Sequence, residues 1–223
     1  MTENPTTEFA VTELNKVHRL PQRGHYDRET IYAILDAAIV CHVGFVQDGQ
    51  PFVIPTSYAR AGDTVLLHGA PNSRLLRHIA AGHPISISVA ILDGLVLAKS
   101  AFHHSVNYRS AVVFGRGQLL DDPAEKRAAL AILTEHLAPG RWATTRQPNA
   151  AELKATAVVA ITIESASAKV RSGPPVDAAE DLALPVWAGV LPIHEAFGAA
   201  IPADHCDPAL DPPTFDRGEG EPR

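Results

Sequence analysis

Apolar side chains near the start of the sequence recur with the spacing of one helical face. Asp27 precedes them and suits an N-cap, so the pattern predicts a helix that carries Ile31, Ile34, Leu35 and Ala38. An apolar run over residues 39–46 follows, then Gln47-Asp48-Gly49-Gln50, then a second run over residues 51–59. Because Asp-Gly suits a primed turn, the two runs predict a β-hairpin.

The rest of the pattern predicts more strands than helices. The expected strands cover residues 64–68, 85–92, 95–98, 107–120, 157–164 and 168–171, the second and third joined by an Asp93-Gly94 turn. Further helices are expected over residues 74–81, with Ser73 as N-cap, over 122–137, and over 149–155. Short strands interrupted by helices predict an α+β fold, an antiparallel closed or half-closed barrel with peripheral helices.

Composition indicates one main domain without obvious nucleic-acid or membrane chemistry. The 223 residues are 46% hydrophobic and carry a net charge of −6, so they show no basic excess for nucleic acid. Cys41 and Cys206 make no disulfide framework, residues 1–8 resemble no secretory signal, and the apolar run over 37–46 is too short to span a membrane. The expected location is cytoplasmic.

Four regions are expected along the chain. Residues 1–20 read as a polar N-terminal arm, and residues 21–173 as the barrel. Residues 174–202 are expected to pack on the barrel or on a partner. Nine of the 18 prolines lie from Pro174 onward, and residues 203–223 hold six acidic side chains against two arginines. This acidic, proline-rich tail is predicted to be disordered.

The strongest local motif is His68-Gly69-Ala70-Pro71-Asn72-Ser73-Arg74. A strand ends there in a glycine-containing turn, and a hydroxyl and a guanidinium open the next helix. Those groups suit a phosphate, since Ser73 can donate a hydrogen bond and Arg74 can bind two oxygens. The alternative is that Ser73 is only an N-cap and Arg74 a solvated side chain.

Five ordered blocks of the sequence carry a resemblance to a known family: residues 49–58, 68–74, 100–115, 139–142 and 185–192. Together they resemble the flavin-nucleotide-binding family related to pyridoxamine 5′-phosphate oxidase, which has a split-barrel fold. The resemblance implies FMN bound at the interface of a homodimer. It places the FMN phosphate at Ser73 and Arg74, above a turn formed by His68 and Gly69, and the flavin ring along Val53, Ile54, Pro55 and Thr56. Pro55 lacks a backbone donor, so it belongs at a strand edge or bulge.

The strand from Asn107 adds further candidates. Period two separates Tyr108 and Ser110 from Arg109, with the barrel interior expected on one side and a dimer contact on the other. Arg109 is the preferred contact to the flavin or its phosphate, because a cation stabilises the reduced ring; a salt bridge across the dimer is the alternative. Trp187 resembles the family's C-terminal aromatic, which covers the flavin from the partner subunit. It could instead anchor the tail on the core.

Two functions remain open. One is an FMN-dependent oxidoreductase acting on a small molecule such as a quinone or nitro compound; no second basic site is visible for a phosphorylated vitamin B6 substrate. The other is a non-catalytic flavin- or haem-binding protein, with His68, His103 or His104 as iron ligands. The spacing of His194, His205 and Cys206 matches no zinc pattern, so no metal-ion site is predicted.

Overall fold

A computed structural model describes residues 6–214 of the protein. Its strands are β1 Gly24–His25, β2 Val40–Gln47, β3 Gln50–Ser57, β4 Ala59–Ala61, β5 Thr64–Gly69, β6 Ile85–Leu97, β7 Ser105–Leu119, β8 Ala157–Arg171 and β9 Gly189–Pro192. Its α-helices are α1 Arg28–Ala37, α2 Arg74–Ala80, α3 Pro123–Leu137, α4 Arg141–Thr144 and α5 Ala150–Ala155. Short 3₁₀ turns cover Pro21–Arg23, Ala101–His103 and Ala179–Asp181.

The strands form one sheet in the order β3-β2-β6-β7-β8-β5-β4, with β1 added to β8 and β9 to β6. Every pair is antiparallel. The α+β antiparallel fold predicted from the strand pattern is confirmed, and the open course of the sheet is that of a split barrel.

The first helix and hairpin form as predicted. The Asp27 carboxylate accepts a hydrogen bond from the Thr30 amide at 2.7 Å, and α1 buries Ile31, Ile34 and Leu35. At the tip of the β2–β3 hairpin, Asp48 and Gly49 both have positive φ angles, 53° and 75°. A primed turn requires that conformation, so the Asp-Gly signal has the physical cause assigned to it.

Two predicted strand breaks are wrong. Asp93-Gly94 is not a turn, since β6 runs through it with a bulge between Leu92 and Gly94. The strands predicted over 157–164 and 168–171 are likewise one continuous strand, β8, which pairs with β7 along most of its length. In both places, hydrogen bonding to the long strand β7 keeps the strand continuous where the local sequence predicts a break.

The main core lies between the inner face of the sheet and helices α1 and α2. It contains Ile31, Leu35, Val43, Leu67, Ile79, Ile87, Val113 and Ile161, all fully buried. A second, smaller cluster packs beneath α3 and contains Ala59, Leu66, Ala129, Leu133 and Val158. Strand β5 contributes to both clusters from its two faces, so the turn that follows it starts from a rigid strand.

The sequence predicted an N-terminal arm and a C-terminal tail outside the barrel. Phe9 and Asn15 of the N-terminal arm are buried, and the Asn15 amide donates to the carbonyls of Ala10 and Ala166 at 3.0 Å each. The arm therefore packs on β8 over its described part; residues 1–5 lie outside it. The predicted tail is exposed over residues 203–214, and residues 215–223 lie outside the description. Among residues 6–214, no helix has both the length and the apolarity needed to cross a membrane.

Cys41 provides a test of the core. Its side chain is fully buried, and desolvation raises the pKa of the thiol to about 12. Cys206 is exposed. A thiol-reactive reagent at neutral pH is expected to modify only Cys206 in the native protein, because the buried Cys41 thiol is neither accessible nor ionised. In denaturant the reagent should modify both cysteines. Native modification of both at equal rates would contradict this core.

Candidate functional site

The predicted phosphate turn connects the last residue of β5, Gly69, to the first residue of α2, Arg74. The Ser73 amide donates to the Ala70 carbonyl at 2.9 Å, which closes the turn. Ser73 occupies the predicted N-cap position, but its side chain makes no capping hydrogen bond. The hydroxyl therefore keeps its hydrogen-bonding capacity for another partner.

Arg74 lies against strand β3. Its guanidinium carbon is 4.5 Å from the centroid of the Phe52 ring, a cation–π distance. Phe52 stacks on Phe45 at 5.3 Å, and Phe45 contacts the His78 ring at 4.7 Å. His78 in turn lies 4.8 Å from His83. We call Phe52, Phe45, His78 and His83 the ring ladder. Its contact with Arg74 positions the predicted phosphate site beside β3, the strand along which the flavin ring is predicted to lie.

The cations at this end of the sheet have no counter-ions within the described chain. Over residues 6–214, neither Arg74 nor its exposed neighbour Arg77 forms an ion pair with a carboxylate. Such guanidiniums attract an anionic ligand, and each can bind two phosphate oxygens at once. This end of the sheet is suited to a phosphorylated compound.

Strand β3 is the terminal strand of the sheet path, so Pro55 lies on an edge strand as predicted. The four residues predicted to contact the ring divide between its two faces. Val53, which is 68% exposed, and Pro55 lie on the outer face, whereas Ile54 packs against the core and Thr56 shares that inner side. A planar ligand along β3 can contact the outer pair or the strand edge, but not all four side chains equally.

Arg109 already has an ionic partner in its own chain. Its Nη2 is 2.8 Å from Asp93 Oδ1, and Nε also donates to the Asp93 carboxylate, at 3.1 Å. The hydrogen bond to Asp93 raises the pKa of Arg109. Arg109 therefore forms a salt bridge within its own chain at the bulge in β6, whereas the alternative role was a salt bridge across the dimer.

The strand around Arg109 has the predicted alternation of faces. Ala111 and Val113, on the Arg109 side, are buried in the core, while Tyr108 and Ser110 lie half-buried on the outer face. The Ser110 hydroxyl donates to the Lys169 carbonyl at 3.2 Å. The cross-strand register thus places Tyr108 and Ser110 on the same outer face as Val53 and Pro55.

The predicted flavin residues form two groups at opposite ends of the sheet. Helix α2 packs over Gly117 of β7 through Ile79, while Arg109 lies eight residues earlier in the same strand. At about 3.3 Å per residue, Arg109 and Gly117 are roughly 26 Å apart along the strand. One chain therefore does not bring Arg109 beside Arg74.

The candidate iron ligands are separated in the same way. His68 pairs with Val158 at the start of β8, whereas Tyr108, four residues after His104, pairs with Arg171 at its end. The part of β8 from Val158 to Arg171 is roughly 43 Å long. His68 therefore cannot share one iron with His103 or His104 of the same chain. Partial desolvation lowers the pKa of His68. His104 Nδ1 lies 2.9 Å from the Ser100 carbonyl oxygen, and His103 contacts the Phe102 ring edge-on.

Trp187 is not buried in the core. The side chain is 62% exposed, and its ring lies close against Gly189, the first residue of β9. The preceding segment is fastened to the end of β6, where the Lys99 ammonium donates to the carbonyls of Leu184 and Val186. The alternative in which Trp187 anchors the tail on the core is therefore wrong, and the ring remains available at the surface.

Comparison with known proteins identifies the family to which the chain belongs. The family described as pyridoxamine 5′-phosphate oxidase matches residues 27–170, which include the phosphate turn, β3 and the Tyr108–Ser110 strand. The chain belongs to this family. No curated protein gave a significant match.

Two solved structures resemble this pyridoxamine 5′-phosphate oxidase family member over nearly the whole chain. The flavocytochrome Anf3 from Azotobacter vinelandii is 40% identical, with a TM-score of 0.84, over 91% of this chain and 94% of that one. The FAD and heme binding protein from Mycobacterium smegmatis is 37% identical, with a TM-score of 0.83, over 88% and 97%. The comparisons place the protein among flavin-binding relatives of the oxidase.

The residues around the phosphate turn fit a flavin nucleotide. The Ser73 hydroxyl, which makes no capping hydrogen bond, and the Arg74 guanidinium can hold a phosphate. The ring ladder and the exposed edge of β3 supply flat apolar surface beside it. For metal ions, residues 6–214 hold no cluster of three or more His, Cys, Asp or Glu side chains.

Two features of this family member were missed at the level of sequence. The ring ladder could have been found, because the register of the Asp-Gly hairpin places Phe45 opposite Phe52, and His78 follows Arg74 by one helical turn. Arg171 gave no such signal. It is 8% exposed and donates to Asn107 and to the carbonyls of Gly173 and Pro174, so it fixes the chain as it leaves β8.

Proposed function

We propose that the protein binds a flavin nucleotide at the turn between β5 and α2 and uses it as a redox enzyme on a small molecule. The observation that carries the proposal is the Arg74 guanidinium, which has no carboxylate partner in residues 6–214 and lies 4.5 Å above Phe52 at the sheet edge. Arg74 and Ser73 hold the phosphate, and β3 orients the ring. A bound flavin supplies the electron transfer.

A second copy of the chain completes the site in this proposal. Arg109 and Trp187 lie at the far end of the sheet from Arg74, so they reach a flavin only from another subunit. The outer face of the sheet supports such an association, since it exposes apolar side chains that include Val40, Val46, Val53 and Leu92. A homodimer would bury this face and bring opposite ends of two sheets together.

A haem is the second candidate group. The specific observation in its favour is that both full-length structural relatives are named for haem as well as flavin, or as a flavocytochrome. Two of the candidate iron ligands from the sequence are His68, which pairs with the start of β8, and His104, which precedes β7 near the other end of β8. They are too far apart in one chain to act together, so a ligand pair would have to come from two subunits.

The absorbance spectrum of the protein as purified tests these proposals. Flavin absorbance together with a haem Soret band is expected, and mass spectrometry of the released flavin distinguishes FMN from FAD. His68→Ala or His104→Ala should remove the Soret band and leave the flavin signal, while His205→Ala, in the exposed C-terminal segment, serves as the control. A colourless protein that takes up neither FMN nor FAD would refute the flavin function.

A further inference from the structure

Several cations gather at the end of the sheet opposite the phosphate turn. Strand β1 pairs Gly24 with Lys169 of β8, which brings Arg23 to that strand, and the Lys169 ammonium donates to the Arg19 carbonyl at 2.7 Å. Burial and the charge of Arg23 lower the pKa of Arg171, so Arg23 also lies close to that guanidinium. We call Arg19, Arg23 and Lys169 the basic cluster.

The basic cluster has no counter-ion within the part of the chain that the structure describes. Over residues 6–214, no carboxylate forms an ion pair with any of its three side chains. Two acids of the same region have other partners. Glu13 pairs with Lys16 at 3.3 Å, and Asp27 lies 3.9 Å from the His25 ring nitrogen. In a chain of net charge −6, cations grouped in this way attract an anion.

The complementary charge lies in the C-terminal segment. Asp204, Asp207 and Asp211 are all exposed, and among the described residues none of them forms an ion pair. We call residues 203–211 the acidic segment, which contains no lysine or arginine. Its carboxylates take no part in the phosphate turn, so their charge is available to a cationic surface.

Strand β9 sets the direction in which the acidic segment leaves the sheet. It pairs antiparallel with the last part of β6, and beyond it the Ile193 amide donates to the Asp93 carbonyl at 3.1 Å. The chain therefore runs toward the start of β6, at the end of the sheet where α2 packs and away from its own basic cluster. From Ile193 to Asp204 an extended chain spans up to about 40 Å.

We infer that the acidic segment of one copy binds the basic cluster of a second copy. The inference rests on the association of two copies in the proposed function. That association brings opposite ends of two sheets together, so the basic cluster of one copy lies at the end toward which the acidic segment of the other runs. Within such a pair the segment has a high local concentration, which favours it over free anions. Its carboxylates would fasten the two subunits around the flavin site.

Cys206 lies within the acidic segment and allows its position to be measured. The other cysteine, Cys41, is buried, so a maleimide reacts with Cys206 alone. Unlabelled and isotope-labelled full-length chains are mixed until they exchange partners, and a short crosslinker that joins a thiol to an amine is added. A Cys206–Lys169 crosslink between an unlabelled and a labelled copy is expected in the mass spectrum.

Neutral variants of the acidic segment test the role of charge. Combined Asp204→Asn, Asp207→Asn and Asp211→Asn should abolish this crosslink and raise the dimer dissociation constant about tenfold, because each exposed ion pair contributes modestly. Raised salt should act in the same direction on the unmodified protein. Sedimentation equilibrium measures the dissociation constant.

The matched control removes three charges from exposed carboxylates elsewhere. Combined Glu29→Gln, Asp121→Asn and Glu164→Gln should leave both the crosslink and the dissociation constant unchanged. A dimer without the crosslink, a Cys206–Lys169 crosslink confined to one copy, or equal effects of the two triple variants refutes the docking alone. A protein that is monomeric at every concentration refutes the association of two copies as well, and the flavin spectrum still tests the phosphate turn separately.

Discussion

Gly115→Ala is expected to lower the free energy of unfolding by about 3 kcal/mol or more, the upper end of the range for steric overpacking. Gly115 lies at the bulge where β7 skips one residue of β8, since Phe114 pairs with Ser165 and Gly115 with Ile163. A Cβ atom there would collide with the Thr162 carbonyl oxygen and lie 3.2 Å from its carbon. Backbone atoms in the centre of the sheet cannot rotate away as a side chain can. The shift of the urea unfolding midpoint measures the effect.

Gly198→Ala is the matched control for this substitution. A Cβ atom on Gly198 meets no atom within 4 Å, so the same chemical change should alter the free energy of unfolding by less than about 0.5 kcal/mol. A Gly115→Ala protein as stable as the unmodified one would mean that the bulge between β7 and β8 is wrongly placed.

Arg74→Ala is expected to weaken the binding of both FMN and FAD about ten- to hundredfold, because a charged hydrogen bond to phosphate is worth about 1.5–3 kcal/mol. Arg74 is exposed and its described contact is with the Phe52 ring, so the variant should remain folded. Titration of the apoprotein with each flavin, followed by fluorescence, measures the loss.

Arg74→Lys sharpens this experiment. Lysine keeps the positive charge but cannot bind two oxygens in a fixed plane, so it should recover only part of the lost affinity. Unchanged affinity in Arg74→Ala, with an unchanged circular dichroism spectrum, would remove Arg74 from the phosphate site.

Elements governed by local chemistry were predictable from the sequence. The Asp27 cap, the Asp48-Gly49 turn and the Asp122-Pro123 start of α3 act through neighbours within a few residues, and all three form as expected. The Asp93-Gly94 pair has the same local signal, yet β6 continues through it because β7 and β9 pair with the strand beyond that point. Strand continuity depends on partners distant in sequence, which single-sequence patterns do not reveal.

The sequence predicted the residues of the candidate site better than it predicted their arrangement in space. The motif around Ser73 and Arg74 indicated a phosphate site, and the structure does place Arg74 beside β3. Which subunit would contribute Arg109 could not be read from the sequence, because the distance between Arg109 and Arg74 depends on how many residues of β7 separate them in the folded sheet. The Asp93 partner of Arg109 was hidden for a related reason, since Asp93 had been assigned to a turn.

The prolines of β3 also limit how another chain can approach. Pro51 and Pro55 lie four residues apart on the terminal strand and have no N–H groups, so pairing with β2 is preserved only if these positions face the open edge. That edge then offers a single donor between them, at Val53. Such an edge is a poor template for strand addition and thus for edge-to-edge aggregation. A second copy must therefore approach this end of the sheet through its face and not by extending the hydrogen-bonded ladder.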